Sequence, residues 1–303
     1  MLMEYALRYQ LRPQRFNHLA LRSTWVAAAC VLLLGLGAAP KVAQAGQPRD
    51  WMAGAQPEGA DMMLDLVFPG VQATLENRLN IYGIANQFTS RANILATAGF
   101  VESQLDLDLR VVVLTLGGSI GVRDTYRNHT FAPGESISIS HRLDREFAGD
   151  VTNELWPYGE LRAILSLPFN DHLVFNSINR FRFEGRPTSS YDWRTATVHD
   201  GEFFDSETML LAKDRSWGAA GPIIQVMNYK LGGVSRTQVN WGILFTTRVG
   251  LLDRDDLIFV RALANIGGPG VDATSTYGLH FLTVPVSLTL AYRAVLPVWR
   301  PED

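Results

Sequence analysis

Apolar and polar residues alternate at every second position along much of this chain. The longest run of alternating apolar residues comprises Leu282, Val284, Val286, Leu288, Leu290 and Tyr292. The residues between them are Thr283, Pro285, Ser287, Thr289, Ala291 and Arg293. Because successive side chains of a β-strand point to opposite faces, a period of two predicts strands with one apolar and one polar face.

The same alternation recurs along residues 73–292 and predicts an all-β fold of about twelve antiparallel strands (roughly 10–14). Leu105, Leu107 and Leu109, for example, alternate with Asp106 and Asp108. The predicted strands span residues 73–86, 89–100, 104–116, 117–128, 136–147, 155–167, 172–183, 203–213, 222–231, 237–249, 256–265 and 277–292. Helical apolar spacing is scarce beyond residue 60, so no second fold class competes with this interpretation.

The first 45 residues predict a cleavable secretory signal peptide. Basic residues from Arg8 to Arg22 precede an apolar stretch over residues 25–39, and Ala43-Gln44-Ala45 forms a small-x-small cleavage site. The apolar stretch is shorter than the ~20 residues that a transmembrane helix needs. Cleavage after Ala45 would leave a Gly- and Pro-rich lead-in over 46–72, a barrel over 73–299 and a polar tail over 300–303.

The leader, the alternating strands and a C-terminal aromatic residue together resemble bacterial outer-membrane β-barrel proteins in general. Trp299 ends the last apolar segment, although typical barrels end on the aromatic residue itself and here residues 300–303 follow it. The resemblance implies a transmembrane barrel in the outer membrane of a Gram-negative bacterium, surrounded by outer-membrane lipid and inserted by the barrel-assembly machinery. A soluble periplasmic barrel or sandwich is the rival interpretation, because alternation does not determine which face meets lipid.

The connections predict an orientation for this barrel. With both chain ends in the periplasm, the longest connection, residues 184–202, lies outside the cell, and the short turns at 168–171 and 250–255 lie in the periplasm. Outer-membrane barrels prefer this arrangement of long outer and short periplasmic connections.

If the apolar face meets lipid, the polar face lines the lumen. The predicted lumen-lining residues are Glu76, Arg78, Asp106, Asp108, Arg110, Glu160, Arg162, Arg180 and Arg182. Charges of both signs either pair and fill the barrel or surround a water-filled pore. Twelve strands lie between the small filled barrels and the open porins. The favoured function is therefore a narrow pore or passive channel for small polar solutes, and the alternative is a filled structural barrel presenting an outer loop.

An enzyme is the less favoured class. Outer-membrane barrel enzymes that hydrolyse lipid or peptide need a nucleophile or acid beside a histidine near the outer rim. The candidates in the longest predicted outer connection are Asp192, His199 and Asp200. The Asp106/Asp108 pair is expected near the periplasmic start of its strand, far from His199, and His199 is expected to be a polar loop residue satisfied by a neighbour such as Asp200. We therefore expect no catalytic site and no enzymatic activity.

Composition and charge exclude only a few further classes of function. Removing the leader takes away five basic residues and one acidic residue, which lowers the net charge from −3 to −7 and argues against nucleic acid as a partner. The single cysteine, Cys30, lies in the leader, so the mature chain has no thiolate for a disulfide, a zinc site or a nucleophile. No phosphate-binding or calcium loop is recognisable, so we expect no cofactor and no metal.

Overall fold

The chain folds into strands that close on themselves, as described by a computed structural model. The structure describes residues 56–67, 70–81, 85–97, 100–127, 151–185, 190–192, 197–214, 217–231, 233–250, 256–267, 279–281 and 284–299. Among these residues no helix is long and apolar enough to cross a membrane.

Twelve long strands of the described chain form a closed antiparallel barrel. They are β1 (Gly59–Val67), β2 (Gly70–Asn80), β3 (Asn86–Thr97), β4 (Phe100–Val111), β5 (Leu114–Arg127), β6 (Val151–Asn170), β7 (Leu173–Glu184), β10 (Glu202–Asp214), β11 (Gly218–Leu231), β12 (Val234–Arg248), β13 (Leu257–Gly267) and β15 (Val284–Trp299). Each pairs with the next in this order, and β1 pairs with β15 to close the ring. The short strands β8 (Ser190–Asp192) and β9 (Thr197–His199) form a separate hairpin, and β14 (Leu279–Phe281) pairs with the start of β15.

The two ends of the barrel differ in the length of their connections. We call the end at which β1 begins and β15 ends the short-loop end, where the longest connection is residues 249–256 between β12 and β13. The opposite, long-loop end carries the connections 128–150, 185–201 and 268–283. This contrast agrees with the asymmetry expected of outer-membrane barrels.

The observed order of the strands differs from the predicted order in the first half of the chain. Residues 59–67, predicted to belong to the lead-in, form β1 and pair on both sides, with β2 and β15. The predicted strand 136–147 lies outside the described residues, and β5 pairs directly with β6. These two differences compensate in number, which is why the expected count of twelve agrees with the structure.

The missed first strand also reverses the direction predicted for residues 73–128. Each strand in this part of the chain runs opposite to the expectation, whereas the strands after residue 155 keep their predicted direction. β4 therefore begins at the long-loop end, and the expectation that Asp106 lies near the periplasmic start of its strand is wrong. Asp106 is instead a central residue of Phe100–Val111.

The final strand lies further along the chain than predicted. Residues 277–292 were expected to form one strand, but β14 covers only Leu279–Phe281 and β15 runs from Val284 to Trp299. Trp299 pairs with Ala60 of β1 and is thus the last strand residue of the barrel seam.

The apolar face of the barrel points outward and the polar face points inward. In β4, Leu105, Leu107 and Leu109 are 45–47% exposed, whereas Asp106 and Asp108 are 4% exposed. Other large exposed apolar side chains are Leu66, Val71, Leu79, Leu116, Ile120, Leu155, Leu161, Phe181, Ile224, Trp241, Ile243 and Leu290. Soluble proteins rarely expose so continuous an apolar surface, and this inside-out pattern is that of the outer-membrane type of barrel.

Candidate functional site

Small residues on the inner face of β5 make room for charged side chains in the barrel interior. Gly117, Ser119 and Gly121 occupy successive inward positions of this strand. A Cβ at Gly117 would lie 1.8 Å from the Asp108 Oδ1 atom, and one at Gly121 would lie 2.4 Å from the Tyr158 ring. The side chains of β4 and β6 therefore approach this wall more closely than any larger residue would allow.

The first group of interior charges is a chain of ion pairs across β1, β2 and β3. Arg78 bonds to both Asp61 and Glu76, and all three side chains are almost fully buried. The Arg91 Nε atom lies 2.6 Å from Glu76 Oε2, so Glu76 is shared by two guanidinium groups. Arg91 then reaches Asp108 on β4 at 2.5 Å.

The chain continues to β6 through the two aspartates that the sequence singled out. Arg162 donates from Nε to Asp108 Oδ1 at 2.7 Å and from Nη2 to Asp108 Oδ2 at 2.9 Å. Asp106 accepts hydrogen bonds from the amides of Asn93 and Gln104, both at 2.5 Å. Asp106 and Asp108 are thus each held by amide or guanidinium donors from their own strand or from β3 and β6.

A second group of charges joins β4, β5, β6 and β7 toward the long-loop end. Glu102 accepts from Arg123 at 2.6 Å, from Arg182 at 3.1 Å and from the Tyr158 hydroxyl at 2.8 Å. The Arg182 guanidinium also lies over the Tyr158 ring, 3.9 Å from its centroid. Since Glu102, Arg123 and Arg182 are 1–3% exposed, this group fastens the barrel wall.

A third group lies on β7, β10, β11 and β13. Arg180 bonds to Asp205 at 3.0 Å and to Glu207 at 3.4 Å, and Arg261 reaches Glu207 at 2.6 Å. Gln225 donates to both carboxylates, which are otherwise shielded from solvent. At the barrel seam, Arg293 of β15 forms a two-point contact with Asp65 of β1, at 2.6 and 2.7 Å.

A cavity of about 510 Å³ lies beside these ion pairs inside the barrel. Residues of β1–β7 form its wall, together with Phe203 of β10 and Arg293 of β15. Thr115, the second residue of β5, lies at the short-loop end, whereas Gln72 and Phe203 lie near the long-loop ends of their strands. The lining thus extends along the barrel between its two ends.

The structure places all nine of the sequence-predicted lumen residues on the wall of this cavity: Glu76, Arg78, Asp106, Asp108, Arg110, Glu160, Arg162, Arg180 and Arg182. Sequence reasoning missed the charged partners that connect them: Asp61, Asp65, Arg91, Glu102, Arg123, Asp205, Glu207, Arg261 and Arg293. Most of these continue the same period of two. Asp205 and Glu207, for instance, alternate with outward residues of β10, so the periodic signal could have found them.

The other side of the interior is filled by apolar side chains. The buried cluster comprises Val174, Met209, Leu211, Ala219, Ile223, Leu244 and Leu263, with Ile178 and Phe259 against it. These residues come from β7 and β10–β13 and point inward. The barrel is therefore filled along this part of its wall, and the open space is displaced toward β1–β7.

The predicted outer-loop residues occupy a structural position. His199 is fully buried, its ring stacks on Phe203 with centroids 5.1 Å apart, and its Nδ1 accepts a hydrogen bond from the Gly201 backbone N–H at 3.2 Å. The Asp200 carboxylate accepts from the Gly233 N–H at 2.8 Å, and the Asp192 backbone pairs with Thr197 in the β8–β9 hairpin. His199 thus packs behind a residue of the cavity wall and anchors the chain entering β10.

No metal-binding arrangement is present in the described part of the chain, in which no group of three or more His, Cys, Asp or Glu side chains converges. The interior carboxylates instead face guanidinium and amide groups on neighbouring strands.

The comparisons with known proteins find a similarity in structure. No family model matches the chain, and no curated protein matches it. Among solved structures, the chain is similar to LpxR from Salmonella typhimurium at 9% sequence identity and a TM-score of 0.38, over 78% of this chain and 99% of that one.

This similarity corrects one expectation. We expected no enzymatic activity, and that expectation is wrong as a deduction from the barrel architecture, because the similar barrel is itself an enzyme, an outer-membrane lipid A deacylase. At this identity and TM-score the similarity assigns no activity, substrate or site residue to the present chain.

Proposed function

We propose that the protein is an integral outer-membrane barrel whose interior forms a narrow passive pathway for small polar solutes. The outward belt of apolar side chains suits contact with outer-membrane lipid, and a water-filled interior suits the inward charged rows. A solute would move along the barrel beside β1–β7, where the interior is open.

The observation that carries this proposal is the cavity of about 510 Å³ inside the barrel, whose wall is formed mainly by β1–β7. Its lining extends from Thr115 at one end of the strands to Phe203 at the other, and most of the residues in it are polar. Small barrels whose interiors are filled by side chains leave no such space, whereas larger porins leave a wide channel. A narrow pathway is the intermediate case.

The filled structural barrel is the second candidate, and the apolar cluster of β7 and β10–β13 favours it. Val174 and Leu211 are completely buried in that cluster, so part of the cross-section is closed by packed side chains. If the remaining space does not connect both ends, the barrel serves to present its long-loop end.

Single-channel recording in planar lipid bilayers separates the two candidates. We expect the folded protein to produce discrete conductance steps, and Ser166→Trp, which adds a large side chain to the cavity wall, to reduce their size. The matched control is Leu161→Trp on the same strand, because Leu161 is 61% exposed on the outward face and should leave the steps unchanged. Folded wild-type protein that gives no steps would establish the filled barrel instead.

A further inference from the structure

We infer that the pathway admits small anions in preference to cations, so that the solutes it takes are carboxylates, phosphates or similar anionic compounds. This inference rests on the proposed function and specifies its substrate class. It follows from how deeply the two kinds of charge are set into the cavity wall.

The carboxylates that line the cavity are recessed, and three of the guanidinium groups beside them are set less deeply. The side chains of Glu76, Asp106, Asp108 and Glu160 are only 5–8% exposed. In contrast, the side chains of Arg91, Arg180 and Arg293 are 29%, 30% and 37% exposed, and all three line the cavity. A solute in the cavity therefore meets arginine before it meets an acid.

The number of charged residues on the cavity wall also favours anions over cations. Seven arginines line the cavity: Arg78, Arg91, Arg110, Arg162, Arg180, Arg182 and Arg293. Only four acids do so: Glu76, Asp106, Asp108 and Glu160. The acids that balance the remaining arginines, such as Asp65 and Asp205, lie behind the wall, where a solute does not touch them.

Hydrogen-bonding capacity also favours an anion. A guanidinium group carries five N–H donors, whereas Arg91 directs only Nε and Nη1 at its carboxylates, Glu76 and Asp108. Its remaining donors are on a side chain that is partly exposed to the cavity. Asp108, by comparison, already accepts from both Arg91 and Arg162. Planar guanidinium groups bind carboxylate and phosphate oxygens in pairs, so the unused donors suit these groups.

The test measures the reversal potential of wild-type channels under a KCl gradient across a planar bilayer. We expect the sign that indicates a chloride-to-potassium permeability ratio above about 1, as a ring of positive charge predicts. Adding inorganic pyrophosphate to one side should reduce the chloride current, because a multivalent anion would occupy the arginine-lined wall for longer.

The double variant Arg91→Gln/Arg180→Gln should lower this permeability ratio. The two substitutions are chosen because every carboxylate they release keeps another partner: Glu76 keeps Arg78, Asp108 keeps Arg162, and Glu207 keeps Arg261. Asp205 keeps Gln225. The control Lys213→Gln/Lys230→Gln removes the same charge outside the cavity lining and should leave the ratio unchanged.

The outcomes distinguish this inference from the function on which it rests. Conducting channels that prefer potassium, or that show no preference, would overturn the anion preference and leave the pore in place. An equal loss of selectivity in the lysine control would also overturn it, because the effect would then come from the overall charge of the protein. Absence of conductance from folded wild-type protein would overturn the proposed function itself.

Discussion

Single small residues on β5 determine how closely the charged side chains can cross the barrel interior. Gly117 faces Asp108 on one neighbouring strand and Arg162 on the other, and these two side chains bond across β5 at 2.7 Å. Because charges in a low-dielectric interior are stabilised only when their hydrogen bonds are well made, a displacement of Asp108 affects both of its arginines. The role of Gly117 is therefore to leave space, and not to permit an unusual backbone conformation.

Gly117→Ala should destabilise the barrel. The added Cβ would lie 1.8 Å from Asp108 Oδ1 and 2.8 Å from the Leu107 backbone oxygen, so neither a side-chain rotation nor a small backbone shift relieves the clash fully. Overpacking of this kind costs about 1–3 kcal/mol, and we expect that loss in the free energy of unfolding measured by guanidinium titration of the reconstituted protein.

Gly118→Ala is the control for this substitution. It places a Cβ no closer than 3.2 Å to the Glu160 backbone oxygen, on the outward side of the same strand, and should change the unfolding free energy little. If the two alanine variants lose equal stability, the interior of β5 is not the tight wall that the structure describes.

At the scale of the strands, periodicity predicted which side chains point inward or outward better than it predicted the order of the strands in the barrel. A period of two is a local property, so Leu107 could be assigned outward and Asp108 inward without knowing how many strands precede them. Whether a segment belongs to the barrel depends on pairing with distant strands. Apolar residues of β1 from Ala60 to Leu66 alternate with Asp61 and Asp65, but this run is short and follows a Gly- and Pro-rich stretch, so its periodicity does not stand out in the sequence.

The ion-pair groups were beyond sequence analysis for a related reason. Glu102 on β4 binds Arg182 on β7, and two other strands lie between them in the sheet. Such a contact depends on the register of three successive strand pairs and on the curvature of the closed wall. Alternation identifies which side chains enter the lumen, but it does not identify which of them meet there.

Leu64→Pro should prevent normal assembly, because β1 is a full barrel strand. Leu64 pairs with Ala73 on β2 and with Ala294 on β15, so a proline there removes a backbone donor from a strand that is bonded on both sides. In lipid each unsatisfied backbone group costs several kcal/mol. The expected result is loss of the compact, heat-modifiable band on cold SDS gels after refolding into lipid.

Glu58→Pro, one residue before β1, is the comparison for Leu64→Pro and should refold normally. Normal refolding of both proline variants would mean that residues 59–67 form only a lead-in, as the sequence suggested, and that the barrel closes without β1.

The molecule as a whole has its polar groups gathered inside and its apolar groups outside, the reverse of a soluble globular protein. Inside, each buried carboxylate faces arginine or amide donors, which is the condition under which charges are tolerated away from water. Outside, large exposed apolar side chains lie on β1, β2, β4–β7, β10–β13 and β15. The pattern therefore surrounds the barrel and is not a patch on one side, which suits lipid better than a docking surface for a single partner.

A depth-dependent cost of outward charge tests the lipid-facing belt directly. Leu107, near the middle of β4, is 47% exposed, and Ile81, in the connection after β2, is 57% exposed. Placing arginine at the centre of a lipid-facing strand costs about 2–4 kcal/mol, and near the interface about 0–1 kcal/mol. Leu107→Arg should therefore lower the free energy of unfolding in lipid bilayers far more than Ile81→Arg.

In a soluble barrel both Leu107 and Ile81 would already be in water, and arginine at either position would cost little. Equal, small effects of the two substitutions would therefore contradict membrane insertion, whereas a large difference would locate Leu107 within the hydrocarbon layer and Ile81 at its edge.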